Sequence, residues 1–301
     1  MQMSTIHFRH VALCAWLCCI LLAVVPCARA AEGRLPLQPF KDALFSQPTL
    51  LDSRDGGDFE VVDYQEMRDI NGRDQVPERR VKSKYVDLSV KREQVNETLT
   101  LASGALDVAR VGPAEGAAFT VIFIHGRGGD RRLGINDFSF GGNFNRLKNL
   151  AVRNGGVYYS PSVTSFDAAG VAAVSGLIAH AAASAPGRPV VLACASMGSF
   201  ICWGIARDAE AVGRLAGLAV LGGAADPRFI GSAAYKAKLP LYFSHGSLDS
   251  VYPAADQIAL YDRLHEAGYP TRFTVFETGS HGTPVRMSDW RLILNWILAR
   301  P

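Results

Sequence analysis

From residue 119 onward the sequence alternates short apolar runs with amphipathic stretches, and this alternation restricts the fold more than any other feature. The runs Thr120–Ile124 and Val190–Ala195 are followed closely by glycines, which is typical of buried strands. Between such runs, Phe166–Ala183 carries apolar residues at helical spacing on one face. Strands that alternate with helices predict an α/β fold, with a mostly parallel central sheet flanked by helices on both sides.

The same pattern predicts further strands at Gly156–Ser160, Leu218–Leu221, Leu239–Ser244 and Arg272–Phe276. It predicts helices at Asn145–Arg153, Met197–Asp208, Ala254–Ala267 and Trp290–Leu298. Ahead of these, apolar and polar residues alternate in strands predicted at Val81–Leu88, Asn96–Leu101 and Leu106–Val111, as in an antiparallel sheet edge at the N-terminal side. Residues 31–80 are polar and predict an irregular N-terminal extension before one domain over residues 81–301.

The first thirty residues have the pattern of a secretory signal peptide. Arg9 and His10 precede the apolar run Val11–Val25, and Ala28-Arg29-Ala30 supplies a small-residue cleavage site. The run is short for a membrane span, so cleavage after Ala30 and a secreted or periplasmic protein are expected, with no stable membrane insertion afterwards. A lipid-modified Cys27 and an uncleaved anchor are the alternatives, and Pro26 fits the first of them poorly.

Charge and cysteine content limit the possible partners and ligands. Removal of residues 1–30 takes away two arginines and lowers the net charge from +3 to +1, which leaves no basic footprint for nucleic acid. Four of the six cysteines leave with this segment. Cys194 and Cys202 remain, one at a predicted strand end and the other within the next predicted helix. This placement predicts two unpaired, buried thiols and no zinc site.

Residues that follow strands matter most, because ligands bind at the carboxyl ends of parallel strands. Cys194-Ala195-Ser196-Met197-Gly198 lies directly between a predicted strand and helix, as the G-x-S-x-G nucleophile elbow does. Cys194 replaces the first glycine of that motif, whereas Gly198 matches the second. The pattern predicts Ser196 as a nucleophile, and the alternative is a serine that only caps the helix.

A glycine-rich loop, His125-Gly126-Arg127-Gly128-Gly129-Asp130, follows the first strand of the alternating region. Its backbone can approach a substrate closely, so the amide of Arg127, or that of Gly126, is expected to form an oxyanion hole with the amide of Met197. No lysine and serine pair follows, which argues against a phosphate loop. His125 is expected to hold the loop in place.

An acid and a base follow the next strands in chain order. Asp249 comes after a predicted strand and can orient a histidine, with Asp226 as the rival acid. His281 lies on a loop between Gly279 and Gly282, and its ordinary pKa of about 6.5 suits a general base. Serine, acid and histidine in this order, each at a strand end, predict a catalytic triad.

On these residues the sequence resembles the α/β-hydrolase superfamily, and most of all its small carboxylesterases, acyl-thioesterases and dienelactone-hydrolase-like enzymes. The resemblance covers residues 118–298 and includes His245-Gly246-Ser247-Leu248-Asp249 besides the loops already described. It implies Ser196 as nucleophile, His281 as base, Asp249 as its partner, and no cofactor. The stretch 31–80 has no counterpart in it.

The connection from Leu221 to Leu239, where many relatives insert a lid, is short and predicts an open, capless site. Phe140 and Phe144 are expected to line this site, with core packing as the alternative. The expected reaction is cleavage of a small or polymer-borne ester, or of a thioester, through an acyl-enzyme. A peptidase or acyltransferase with the same triad and a non-catalytic binding protein of this fold remain alternatives. Metal-dependent hydrolysis would need a clustered ligand set, which the sequence lacks.

Overall fold

The computed structural model describes residues 1, 36–45, 48–71, 74–75 and 80–300. The predicted signal peptide therefore lies outside the described residues, apart from Met1. Gly33–Pro301 forms one compact unit, and a ten-stranded sheet lies at its centre. The strands in chain order are β1 (Leu50–Arg54), β2 (Phe59–Val62), β3 (Asp74–Gln75), β4 (Arg80–Val81), β5 (Gln94–Leu101), β6 (Gly104–Val111), β7 (Thr120–Ile124), β8 (Val157–Pro161), β9 (Val190–Ala195), β10 (Leu215–Leu221), β11 (Leu241–Gly246) and β12 (Thr271–Phe276).

Helices connect most of these strands, and an aspartate caps several of them. Asp167 accepts hydrogen bonds from the first amides of α4, and Asp289 does the same for α10. The helices are α1 (Glu66–Asn71), α2 (Arg131–Gly134), α3 (Asn143–Arg153), α4 (Ala168–Ser184), α5 (Ser199–Ile205), α6 (Ala209–Val212), α7 (Ala233–Lys236), α8 (Ala254–Glu266), α9 (Thr283–Met287) and α10 (Trp290–Leu298).

The sheet order is β1-β2-β12-β11-β10-β9-β7-β8-β6-β5, and β3 and β4 form a separate ribbon. The strands from β2 to β8 in this order run parallel to one another. β6 and β5 add antiparallel pairs at one edge, and β1 pairs antiparallel with β2 at the other. The predicted α/β architecture with antiparallel strands at the N-terminal edge is therefore confirmed.

Two hydrophobic cores cover the two faces of the sheet, because side chains alternate along each strand. In β9, Val190, Leu192 and Cys194 point to the face covered by α4, α5 and α8. Val191 and Ala193 point to the opposite face, which α3 and α10 cover. The fully apolar strand β9 is thus buried on both sides, as a central parallel strand must be.

Two expectations for the N-terminal part were wrong. Of the strand predicted at Val81–Leu88, only Val81 lies in a strand, the two-residue β4, and 3-10 turns occupy Ser83–Tyr85 and Ser89–Glu93. Val90 is buried although it lies in the second of these turns, whereas Val81 is buried from the short strand β4. Residues 31–80 are not irregular throughout, since β1 and β2 extend the central sheet by pairing beside β12. The boundary at residue 81 therefore divides one sheet.

The prediction of two free thiols was also wrong, because Cys194 and Cys202 form a disulfide. After Ser196 the chain reverses sharply, so α5 runs back over the face toward which Cys194 points. This places the two Cα atoms 6.2 Å apart, within the usual range for a disulfide of about 4.4–6.8 Å. Both residues are fully buried in the core between α5 and the sheet.

Candidate active site

Ser196 sits at the tight turn between β9 and α5. Its φ is +53°, a left-handed conformation that is rare for a residue with a side chain and typical of strained functional turns. Neighbouring glycines make the turn possible. A Cβ at Gly198 would lie 2.7 Å from the carbonyl oxygen of His125, and one at Gly126 would lie 2.8 Å from Cβ of Ser196. The turn thus has the form of a nucleophile elbow.

The structure brings the three predicted residues of the triad into hydrogen-bond contact. Nε2 of His281 lies 2.8 Å from Oγ of Ser196, and Nδ1 of the same ring lies 2.8 Å from Oδ2 of Asp249. His281 comes from the loop between β12 and α9, and Asp249 from the loop between β11 and α8. Since Asp249 only accepts, Nδ1 of His281 carries the proton and Nε2 is free to accept the serine proton.

Hydrogen bonds keep Asp249 ionised. Burial alone would raise the pKa of this carboxyl, but hydrogen bonds from His245 and His281 and from the amides of Val251 and Tyr252 outweigh it and hold the pKa well below its usual value. A negative charge therefore stays behind the imidazole of His281, where it favours the cation that forms when the serine is deprotonated.

Sequence reasoning missed a second histidine at this carboxylate. His245 is the last residue but one of β11, is fully buried, and places Nε2 3.1 Å from Oδ2 of Asp249. Its Nδ1 lies 2.8 Å from Oε1 of Gln257 in α8. In the sequence, His245 is marked only by its place directly after the predicted strand Leu239–Ser244, four residues before Asp249.

The rival acid Asp226 lies elsewhere. It pairs with Arg207 and lines a groove of about 1050 Å³ beside α4 and α5, which contains no residue of the triad. His125 holds the glycine-rich loop, as predicted: its ring is buried, Nε2 accepts from the amide of Val163, and burial lowers its pKa.

A cavity of about 380 Å³ opens onto Ser196 and is mostly apolar. Phe140 lines it from a backbone with φ +48°, so this ring is held at the site by a strained turn. Phe144 does not line it, contrary to the prediction. It is buried at 1% exposure behind Phe140, with its ring edge-on to those of Phe140 and Phe123. As the second residue of α3, Phe144 points into the core. The cavity is lined by Phe123, Gly126, Arg127, Leu133, Phe140, Ala195, Ser196, Met197, Leu221, Val251, Tyr252, His281, Gly282 and Val285.

The three residues predicted for the oxyanion hole all line this cavity with Ser196. Gly126 and Arg127 follow β7, and Met197 follows the nucleophile in the first turn before α5. Amides at the start of a helical turn lack partners within the turn, which leaves the Met197 amide available to a ligand. Gly126 and Ser196 are in contact, so both loops face the same reacting position.

The segment from residue 222 to 240 contains one 3-10 turn and the four-residue helix α7, and it forms no large cap. None of the helices within the described ranges is long and apolar enough to cross a membrane. In the same ranges, no group of three or more His, Cys, Asp or Glu side chains is arranged to hold a metal ion.

No family model matches the chain, and no curated protein matches it. Solved structures do. A thermostable esterase is 16% identical with a TM-score of 0.53, and the match covers 69% of this chain but only 63% of that protein. A putative alpha/beta hydrolase from Agrobacterium tumefaciens is 15% identical with a TM-score of 0.52, over 67% of this chain and 93% of the other. A mutant feruloyl esterase module from Clostridium thermocellum, complexed with sinapinate, is 16% identical with a TM-score of 0.50, over 68% and 87%.

These matches agree with what the chain itself shows: a central parallel sheet with helices on both faces, and a strained serine turn at the carboxyl end of β9. The acid and the histidine follow β11 and β12, which lie beyond β10 on the same side of β9 in the sheet order. The chain therefore has the α/β-hydrolase fold.

Proposed function

We propose that the protein is a serine hydrolase that cleaves a carboxylic ester or thioester through Ser196, His281 and Asp249. The observation that carries this proposal is the continuous hydrogen-bond chain from Oγ of Ser196 through His281 to Asp249, with 2.8 Å at each contact. The strained turn at Ser196 and the apolar cavity in front of it support the same activity. The fold alone does not specify a reaction.

In the proposed first step, Nε2 of His281 takes the proton of Ser196 while Oγ forms a bond to the carbonyl carbon. The oxyanion that results accepts hydrogen bonds from the amide of Met197 and from that of Arg127, or of Gly126. The tetrahedral intermediate then collapses, the bond to the alcohol or thiol breaks, and His281 gives its proton to the leaving group. Water attacks the acyl-enzyme by the same route and releases the acid.

The cavity favours an apolar acyl group. Leu133, Phe140, Leu221 and Val285 line it, and at about 380 Å³ it is near the lower end of ordinary ligand sites. Outside it, no large cap covers the described site, so the alcohol side of the ester can extend into solvent. This suits a small-molecule ester as well as an ester carried on a polymer. Nucleic acid is not proposed as a partner.

The test is hydrolysis of p-nitrophenyl esters of increasing acyl length, together with labelling by a fluorophosphonate. Ser196→Ala should abolish both while leaving the thermal unfolding curve unchanged within a few degrees. Ser280→Ala is the matched control, because Ser280 is exposed and adjacent to His281 but outside the hydrogen-bond chain, and it should keep full activity. Undiminished turnover or labelling in Ser196→Ala would exclude this nucleophile.

We also propose that the chain is exported and cleaved after Ala30. The disulfide between Cys194 and Cys202 supports this, since disulfides persist in oxidising compartments outside the cytosol. The mass of the protein recovered from the periplasm or medium tests it: loss of residues 1–30 is expected. A mass that retains Cys27 with added lipid would indicate anchoring, and an intact chain in the cytosol would contradict export.

A further inference from the structure

The carboxylate of Asp249 is shared by two histidines. Oδ2 lies 2.8 Å from Nδ1 of His281 and 3.1 Å from Nε2 of His245, while Oδ1 accepts from the amides of Val251 and Tyr252. Oδ1 thus accepts two hydrogen bonds and Oδ2 accepts one from His281, while the N–H of His245, which donates to the Tyr252 carbonyl, also lies within ion-pair distance of Oδ2. The proposed mechanism requires His281 and leaves His245 without a role.

Burial and hydrogen bonds on both sides of the ring fix His245 in this position. Its side chain is fully buried, and each ring nitrogen has a partner. Nε2 also lies 2.9 Å from the carbonyl oxygen of Tyr252, and since both of its neighbours are acceptors, Nε2 must carry a proton. On the other side of the ring, the side-chain amide of Gln257 lies 2.8 Å from Nδ1. Its oxygen accepts from Nδ1 when the ring is a cation, and its nitrogen, which otherwise has no partner among the described residues, donates to Nδ1 when the amide is turned over, so Gln257 holds the ring in either state.

We propose that His245 is a positioning residue of the active site: it fixes the carboxylate of Asp249 and weakens its pull on the proton of His281, and Gln257 holds the His245 ring for that contact. This inference rests on the proposed function of Ser196 and His281. A carboxylate that shares its charge with a second donor attracts the proton on Nδ1 of His281 less strongly. His281 then gives the proton gained at Nε2 to the leaving group more readily.

The charged surroundings of His245 are simple. Asp249 faces it directly from the following loop, His281 lies beyond that carboxylate, and α8 contributes the uncharged Gln257. Burial lowers the pKa of His245, but the hydrogen bonds to Asp249, Gln257 and the Tyr252 carbonyl together raise it above its ordinary value. A positive charge on His245 repels the positive charge that forms on His281. It therefore favours release of the proton from His281, as the contact of His245 with Asp249 does.

The experiment compares His245→Gln, whose amide places a donor near the position of the original Nε2, with His245→Leu, which has similar size and no donor. In His245→Leu the acid limb of the pH profile of kcat/KM should move to higher pH by about one unit, with a roughly tenfold lower rate at pH values below both limbs. His245→Gln should restore most of the rate and leave a smaller shift. A merely structural role predicts an unmoved limb in both variants.

Two further measurements keep the test decisive. Gln257→Leu replaces His245→Leu if the latter does not fold. It leaves His245 in place but removes the side chain that holds its ring, so the acid limb of the pH profile should move in the same direction by a smaller amount. NMR can follow the titration of His281 in the resting protein, because the signal of this residue is identified by its loss in His281→Gln. This measurement requires no turnover. An unshifted titration of His281 in folded His245→Leu would overturn the inference even if esters are not the substrate, whereas a shifted titration without ester turnover would leave it standing and count against the proposed reaction.

Discussion

The disulfide between Cys194 and Cys202 closes a short loop around the nucleophile, and its contribution to stability can be worked out from the structure. The two cysteines are separated by eight residues, and a cross-link over such a loop removes chain entropy worth about 2.5 kcal/mol from the unfolded state at 25 °C. The Cα atoms are 6.2 Å apart and both side chains are fully buried, so the native backbone accommodates the bond at its ordinary spacing. We therefore expect nearly the whole entropic contribution to appear as stability.

The assay is urea unfolding followed by circular dichroism, with and without a phosphine reductant. Reduction should lower the free energy of unfolding by about 2.5 kcal/mol, and the melting temperature by roughly 5–10 °C for a domain of this size. The matched control is Cys194→Ala with Cys202→Ala, which should not respond to the reductant. The control retains the cysteines of residues 1–30, so any response that persists in it would come from those residues. A difference below about 0.5 kcal/mol between oxidised and reduced wild type would refute the entropic reasoning.

Three further predictions concern the site. Gly126→Ala brings a methyl group against Cβ of Ser196 at 2.8 Å, so kcat should fall about 10²-fold or more while the melting temperature changes little. Phe140→Ala should alter KM and acyl-chain preference at nearly unchanged stability, whereas Phe144→Ala should cost about 3–5 kcal/mol in urea unfolding. Because folding lowers the pKa of Asp249, the stability that its charge provides is present above about pH 4 and is lost as the pH falls further. The stability advantage of wild type over Asp249→Asn should therefore shrink as the pH falls below about 4; a constant difference would count against this.

Most of the central sheet could be predicted from the sequence, because its strands are buried on both faces and are therefore apolar throughout. Val190–Ala195 and Thr120–Ile124 have the bounds that their composition indicates. At the edges of the sheet, β5 was predicted from its alternation of apolar and polar residues, whereas β1 carries no signal of its own. In Leu50–Arg54 most side chains are exposed, and the strand exists because it pairs with β2 rather than because of its own composition.

The same distinction separates the parts of the site that could be predicted from those that could not. The sequence predicts the triad of Ser196, Asp249 and His281 because each of these residues must follow a strand. The end of a strand can be located from the sequence alone. The disulfide could not be inferred from spacing, because it depends on how sharply the chain reverses at Ser196. The two Phe residues show the same limit: Phe140 and Phe144 lie four residues apart, but a positive φ turns the first into the cavity and a helix turns the second into the core.

The contact between His245 and Asp249 is the clearest example of an interaction that the sequence pattern does not predict. A histidine four residues before an acid has no special meaning in a loop, and the two side chains meet here because β11 ends at Gly246, one residue after His245, and the chain then turns back. A Cβ at Gly246 would lie 2.3 Å from the carbonyl oxygen of Gly279, so the turn also packs against the loop that carries His281. The close approach of these two loops brings both imidazoles to one carboxylate. A substitution at Gly246 should therefore disturb His245 and His281 together, which distinguishes a shared positioning device from two independent contacts.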